Sequence, residues 1–222
     1  RHGTIRSDDS RFPIPDSRHA RQRMKAIGIL GGAFAPFHNG HLRAAIEARD
    51  RLDLSQVRLV PTAHPMHRRG SRVSARRRLE WIKAAVRRER GLVPDDHEIV
   101  RDGPSYTIDT LEELRRDFPR AALVLLMGSD AFQHFHTWRQ WERILDFAHL
   151  AVIVRPGTEI QPSAEIADRL VGRVAASPEA LHEQPAGLWM PLELPPLDIS
   201  STRVRWLLKQ DRSVRGLVPD AI

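Results

Sequence analysis

Short runs of apolar residues recur along the chain, and longer segments with helical spacing separate them. The runs are Ala26–Leu30, Val57–Val60, Ala121–Met127, Leu150–Val154 and Leu188–Met190. They show no sustained alternation with polar residues, so each is typical of a strand that is buried on both faces of a parallel sheet. We interpret residues 97–101, HEIVR, as a further strand. Strands that alternate with helices predict an α/β fold, here a doubly wound parallel sheet in a single domain.

Apolar residues three and four positions apart predict helices between the strands. The predicted helices extend from Leu42 to about Leu54, from Ser74 through the stripe Leu79, Ile82 and Val86, from Thr107 or Asp109 to before Pro119, from Ala164 to Val174, and around Val204, Leu207 and Leu208. The first of them connects two predicted strands. Such a crossover almost always joins parallel strands.

The first 23 residues differ from the rest of the chain in pattern and composition. They are polar and lack the apolar core of a signal peptide, so we expect residues 1–23 to be a disordered leader or extension and residues 24–222 to form the domain. The absence of cysteine excludes a disulfide framework and a zinc–thiolate site. No stretch approaches the roughly 20 apolar residues that span a bilayer. We therefore expect a cytoplasmic protein with no membrane partner.

The net charge of +7 raises the question of a nucleic-acid partner. Only three of the 35 basic residues are lysines, which indicates a base-composition bias rather than selection for a polyanion. A small substrate that carries several phosphates explains a positive balance equally well. We therefore expect no nucleic-acid partner.

A glycine loop and two histidines follow the first predicted strand. Gly31 and Gly32 end the strand, but they match neither the P-loop nor the dinucleotide-binding fingerprint. His38 and His41 lie three residues apart at the start of a helix, where both imidazoles and the backbone N–H groups can face one anion. Phosphate contact is the favoured interpretation. A metal site or a purely structural role remains the alternative, although no third ligand at a suitable spacing is present.

A second candidate for anion binding occurs near the end of the chain, in ISSTRVR, residues 199–205. Helix capping alone would explain an isolated pair of serines. Here three hydroxyls are followed by Arg203 and Arg205 at the start of a helix, which favours a second phosphate contact. Two such segments on one sheet suggest that a polyphosphate is held between them.

These motifs resemble those of the bacterial nicotinate-mononucleotide adenylyltransferases. GGAFAPFHNGH, residues 31–41, and ISSTRVR are similar to the two signatures of that family. Between them, PMHR (65–68), PSYTIDTL (104–111), MGSDAF (127–132) and HTW (136–138) resemble its remaining segments in the same order. Three positions depart from the family pattern: Ala33 stands where it has Thr, Ala35 where it has Asp, and Met66 where it has Pro.

The resemblance implies a Rossmann-like nucleotidylyltransferase fold and a transfer of the adenylyl group of ATP to nicotinate mononucleotide, which gives deamido-NAD and pyrophosphate. It implies catalytic roles for His38, His41 and Arg205. ATP would contact Gly31, Gly32, Phe34, His67, Arg68, Gly128, Asp130, Ser201 and Thr202. Nicotinate mononucleotide would contact Tyr106, Thr107, Trp138 and Arg155. Mg²⁺ would arrive with ATP, because the sequence shows no dedicated cluster of carboxylates.

Several alternatives stay open at this stage. The acceptor could be nicotinamide mononucleotide or another phosphate such as phosphopantetheine. A non-catalytic basic domain that binds nucleic acid is the alternative from another class, although its few aromatic residues do not alternate with arginines as stacking platforms would. Trp138 could be a plain core residue, and Arg155 could simply pair with an acid. The sequence leaves a monomer and a homo-oligomer equally open.

Overall fold

The computed structural model describes residues 23–65, 71–154, 157, 159–195 and 197–222. Apart from Arg23, the predicted leader lies outside this part of the chain, as do Met66, His67, Arg68 and Arg155.

Six parallel strands form one sheet in the order β3-β2-β1-β4-β5-β6. Their bounds are Ala26–Gly32 (β1), Gln56–Pro61 (β2), Leu92–Pro94 (β3), Ala122–Gly128 (β4), His149–Val154 (β5) and Trp189–Glu193 (β6). The predicted doubly wound fold is thus confirmed. The chain enters at β1, builds outwards to β3 and then returns to β4 on the other side of β1. The connections after β1 and β4 therefore diverge, and a crevice opens at the carboxyl ends of these strands.

Helices connect the strands. They are Asn39–Arg51 (α1), Ala75–Val86 (α2), His97–Val100 (α3), Thr107–Asp117 (α4), Ser129–Gln133 (α5), Ile144–Phe147 (α6), Ala164–Leu170 (α7) and Ser201–Lys209 (α8). Short 3-10 turns cover Phe135–Thr137, Trp141–Arg143 and Pro178–His182. Within the described residues, no helix combines the length and the apolar character that crossing a membrane requires.

The core lies on both faces of the sheet, as the continuous apolar runs predict. In β4, Val124 and Leu126 belong to one buried cluster, and Leu123, Leu125 and Met127 belong to the other. All five are at most 4% exposed. Successive side chains of a strand point to opposite faces, so a strand covered by helices on both sides must be apolar at every position.

Two sequence predictions of secondary structure are wrong. Residues 97–101 contain helix α3 rather than a strand, and the neighbour of β2 is the shorter strand β3. Val100 is 68% exposed because the helical turn directs it outward. The helix predicted to reach Val174 ends at Leu170, because Gly172 adopts φ +70°, a left-handed conformation that favours glycine and ends helices.

A network of charged side chains joins α3 to the end of α4. His97 contacts the buried carboxylate of Asp95 through Nδ1 at 2.7 Å and the carboxylate of Asp117 through Nε2 at 2.9 Å. Arg58 also pairs with Asp95. Burial alone would lower the pKa of His97, but the charge of Asp95 and the hydrogen bonds to Asp95 and Asp117 outweigh it and raise the pKa. In the imidazolium form both ring nitrogens donate, so His97 then joins α3 to the end of α4.

We expect this network to stabilise the protein more at low pH than at high pH. A histidine whose pKa is raised by folding contributes fully below its unfolded pKa of about 6.5, and the contribution is lost as the pH rises through the folded pKa. The free energy of unfolding of wild type minus that of His97→Gln, measured by urea denaturation from pH 5.5 to 9, should fall with increasing pH. A constant difference would contradict the proposed charge on His97.

Candidate active site

The loop after β1 packs its aromatic side chains around His41. Phe34 is 2% exposed, and its ring centroid lies 5.0 Å from that of His41 in an edge-on arrangement. Phe37 stacks on His41 with a centroid distance of 5.5 Å. A Cβ atom on Gly32 would lie 3.0 Å from the Phe34 ring, so glycine permits this close approach. The loop therefore places the imidazole of His41 in largely apolar surroundings.

His38 and His41 cap the start of α1 reciprocally. The Nδ1 atom of His38 accepts a hydrogen bond from the His41 N–H, and the Nδ1 atom of His41 accepts one from the His38 N–H, both at 3.3 Å. The two rings stack with centroids 3.6 Å apart. Because each Nδ1 atom accepts, the ring proton of each neutral imidazole lies on Nε2. Both side chains therefore offer an Nε2–H donor.

Burial keeps both imidazoles neutral. It lowers the pKa of His38 to about 4 and the pKa of His41 to about 3, with the neighbouring His38 as a second cause for His41. At neutral pH neither ring carries a proton that it can give up readily, and neither readily takes one up. They can donate hydrogen bonds to an anion, but they are poorly suited to act as general acids or bases.

The backbone at the start of α1 differs from the expectation of free N–H donors. The Asn39 N–H donates to the carbonyl oxygen of Leu217 at 2.9 Å, and the His41 N–H donates to His38 as described. Two N–H groups of the first turn are thus already bonded within the protein. An anion bound here would therefore contact mainly the imidazoles.

The first turn of α8 lies against the same loop. The Ser201 hydroxyl donates to the Pro36 carbonyl oxygen at 3.0 Å. The Arg205 guanidinium donates to the Ala35 carbonyl oxygen at 2.7 Å and to the Thr202 hydroxyl at 3.1 Å. The two motifs, more than 160 residues apart in sequence, therefore meet at one place. This is the arrangement that the sequence predicted for holding a polyphosphate.

A cavity of about 370 Å³ opens at the carboxyl ends of β1, β2 and β4. The predicted site residues among its lining are Gly31, Gly32, Tyr106, Thr107, Gly128 and Trp138. A Cβ atom on Gly31 or Gly128 would contact nothing within 4 Å, so both glycines leave the cavity open. The cavity lies in the crevice beside β1 and β4, where open α/β sheets bind their ligands.

One wall of the cavity combines an aromatic ring with the start of a helix. Tyr106 precedes α4 without a side-chain cap, so first-turn N–H groups of α4 are available to a ligand at Thr107. The Trp138 ring packs edge-on against Phe135, and the Arg139 guanidinium lies 4.6 Å from the centre of the Tyr106 ring. This wall suits a flat ring that carries a negative charge.

Not every predicted site residue lines this cavity. His38, His41, Ser201, Thr202 and Arg205 group instead at the loop that follows Gly32. Asp130 is exposed in the first turn of α5 and is not part of the lining. Within the described residues, no three His, Cys, Asp or Glu side chains lie close enough together to hold a metal ion.

Sequence reasoning missed two buried charged residues. Arg78 is 3% exposed and donates to the carbonyl oxygens of Ala33 and Thr62, which follow β1 and β2. The available signal was its spacing of four from Ile82 on the buried face of α2. Glu98 is 8% exposed and lines the cavity, but the strand predicted at residues 97–101 concealed its position.

Comparison with known proteins places these features in a family. A model of the cytidylyltransferase-like family matches residues 29–206. Two curated relatives, from Marinobacter nauticus and Halorhodospira halophila, are each named "Probable nicotinate-nucleotide adenylyltransferase". The first is 43% identical over 195 residues, which cover 87% of this chain and 90% of the relative. The second is 41% identical over 202 residues, which cover 91% and 93%.

A solved structure shares the fold. The Plasmodium falciparum nicotinic acid mononucleotide adenylyltransferase complexed with NaAD aligns with a TM-score of 0.67 over 88% of this chain and 91% of that chain. At 15% sequence identity, this likeness shows the fold alone.

We expect the cap on α1 to be measurable as stability. His38→Asn retains a side-chain oxygen that can accept from the His41 N–H, whereas His38→Ala does not. Both variants lose the buried ring, so the difference between their free energies of unfolding isolates the contribution of the cap. In urea denaturation, the Asn variant should be more stable by about 1 kcal/mol.

The same pair of substitutions at His64 serves as the control, because His64 is exposed and lies outside the helices. Equal stabilities of His38→Asn and His38→Ala would show that the reciprocal cap contributes nothing.

Proposed function

The chain belongs to the cytidylyltransferase-like family and, within it, to the nicotinate-nucleotide adenylyltransferases, and we propose that its two anion-binding segments and its cavity serve one adenylyl transfer. The protein transfers the adenylyl group of ATP to nicotinate mononucleotide and forms deamido-NAD and pyrophosphate. The observation that carries the assignment of the site is the meeting of the histidine turn with the first turn of α8, at the loop that follows the cavity-lining Gly32.

The chemistry fits neutral histidines. The 5′-phosphate of the acceptor attacks the α-phosphorus of ATP, a new P–O bond forms, and the bond to the β-phosphate oxygen breaks with release of pyrophosphate. The attacking phosphate is already an anion at neutral pH, so the reaction needs no general base. The protein contributes by positioning the reactants and by stabilising negative charge in the transition state.

We assign the triphosphate to the gap between α1 and α8. His38 and His41 donate to its oxygens through Nε2–H, and the Arg205 guanidinium, whose five N–H groups exceed its two protein contacts, donates from the other side. Ser201 and Thr202 contribute N–H groups of the first turn of α8.

The remaining ATP contacts follow from the family resemblance. Gly31, Gly32 and Gly128 let the nucleotide approach the backbone closely, and Phe34 holds His41 in place. Asp130 accepts from a ribose hydroxyl. His67 and Arg68, outside the described residues, contact the phosphates.

Nicotinate mononucleotide occupies the cavity in this proposal. Trp138 stacks on its pyridine ring, and N–H groups at Tyr106 and Thr107 bind its carboxylate at the start of α4. Arg155, outside the described residues, is a further proposed contact. Mg²⁺ enters as part of the ATP complex, where it neutralises phosphate charge, and the reaction takes place in the cytoplasm.

The assay that tests the function measures pyrophosphate release from ATP and Mg²⁺ with nicotinate mononucleotide, nicotinamide mononucleotide or phosphopantetheine as the acceptor. We expect the acid mononucleotide to react fastest. His41→Ala should lower turnover by about 10²-fold or more, because it removes one phosphate donor.

His41→Asn should lose activity to a similar extent while it retains an acceptor for the cap. Unchanged turnover in both His41 variants would remove His41 from the mechanism. Fastest reaction with the amide or with phosphopantetheine would overturn the assignment of the acceptor.

The departure at position 35 gives a further prediction. The backbone carbonyl of Ala35 already contacts Arg205, so its side chain can change without loss of that hydrogen bond. We expect Ala35→Asp to raise kcat/KM or to leave it equal, with Ala35→Asn as the uncharged control. A large loss with Asp but not with Asn would mean that this loop binds ATP differently from the loop of the family.

A further inference from the structure

One acidic side chain lines the cavity among its described residues, and the proposed mechanism does not use it. Glu98 projects from α3 and is 8% exposed. Its neighbours in the lining include Ser105, Tyr106 and Thr107, where the carboxylate of the acceptor is proposed to bind. A buried carboxyl group beside a site for an anion requires a specific reason to be there.

Hydrogen bonds connect Glu98 to the segment before α4. The Ser105 hydroxyl oxygen accepts from the Ala63 N–H at 3.2 Å and from the His64 N–H at 3.0 Å. Its own hydrogen is therefore free to be donated, and a hydrogen bond from the Ser105 side chain acts to lower the pKa of Glu98. Glu98 also accepts from the Ala63 N–H at 3.4 Å and from the Thr110 hydroxyl at 3.3 Å. One carboxyl group thus joins the end of β2 to the first turn of α4.

A backbone hydrogen bond supports the same connection. The Ser105 N–H donates to the His64 carbonyl oxygen at 3.0 Å, so Ser105 is bonded to the segment after β2 through both its backbone and its side chain. Tyr106 and Thr107 follow directly. The chain is therefore fixed at the residue directly before these two lining residues.

Burial has the largest effect on the pKa of Glu98, which is raised on balance. Burial raises the pKa of Glu98, while the hydrogen bonds from Ser105 and Ala63 and the charge of Arg101 act in the opposite direction. Arg101 itself donates to Glu113 at 2.9 Å and to Thr110 at 3.2 Å. The acceptor oxygens of Glu98 thus remain available to Ser105, Ala63 and Thr110.

On the basis of the proposed function, we propose that Glu98 is a positioning residue for the acceptor. Through Ser105 it holds the start of α4 in the orientation that binds a pyridine carboxylate. Glu98 thereby contributes to the preference for the acid mononucleotide over the amide, although it does not itself form the carboxylate site.

Glu98→Gln tests this proposal. The substitution keeps the size of the side chain but replaces one acceptor oxygen with an NH₂ group, which cannot accept from Ser105 or Ala63. We expect KM and Kd for nicotinate mononucleotide to rise about tenfold, with KM for ATP nearly unchanged. The ratio of kcat/KM for acid over amide should fall by about the same factor. Acceptor binding can be followed through tryptophan fluorescence, which is independent of turnover.

Ser105→Ala should reproduce this pattern, and the double variant should be no worse than either single variant, because both act through one connection. Glu112→Gln is the matched control, since it removes the same charge from the outer face of α4, where Glu112 pairs with Arg143. It should leave both KM values unchanged. If Glu98→Gln does not fold, Ser105→Ala carries the same expectation.

Two results would overturn the proposal: equal rises in KM for both substrates, or an unchanged ratio of acid to amide. Its failure is distinguishable from failure of the proposed function. A wild-type protein that releases pyrophosphate with nicotinate mononucleotide, together with a Glu98→Gln variant of unchanged selectivity, rejects only the role of Glu98. A wild-type protein that releases no pyrophosphate with any acceptor rejects the function itself.

Discussion

The reciprocal cap between His38 and His41 is the interaction on which the site depends. Each imidazole accepts a hydrogen bond from the backbone N–H of the other residue through Nδ1, and these two bonds cap the start of α1. The two rings stack with centroids 3.6 Å apart, and the ring proton of each lies on Nε2. Phe34 and Phe37 exclude water from His41, which keeps the imidazole neutral. The same contacts that start the helix thus leave two uncharged Nε2–H donors, which are the groups that we propose for phosphate binding.

The topology of the sheet decides where these donors are used. Because β1 and β4 are neighbours while their connections run to opposite faces, a crevice forms at their carboxyl ends. The histidine turn and the first turn of α8 meet at the loop that follows Gly32, and Gly31 and Gly32 line the cavity together with Trp138. In the proposed assignment, these two glycines place no side chain between the nucleotide and its acceptor.

The site handles highly charged substrates with few charged groups of its own. In the proposed assignment, the main donors are two neutral imidazoles, first-turn N–H groups of α4 and α8, and Arg205, so the net charge of +7 is not what forms the site. Preformed dipoles of this kind do not need to reorganise as charge develops in a transition state. Buried charges serve instead to hold loops: Arg78 joins the segments after β1 and β2, and Glu98 joins the segment after β2 to α4.

The alternation of strands and helices outside residues 92–101, the parallel sheet and the family follow from the sequence alone, because continuous apolar runs and short motifs are local signals. The sequence could not show that α3 replaces a strand at residues 97–101, since Ile99 and Val100 suit either element and only packing turns Glu98 inward. Nor could it show which ring nitrogen of His38 and His41 remains free, or that the Leu217 carbonyl oxygen accepts a hydrogen bond from the Asn39 N–H. These features depend on contacts between residues that are distant in sequence, or on the exclusion of water, and both arise only when the chain is folded.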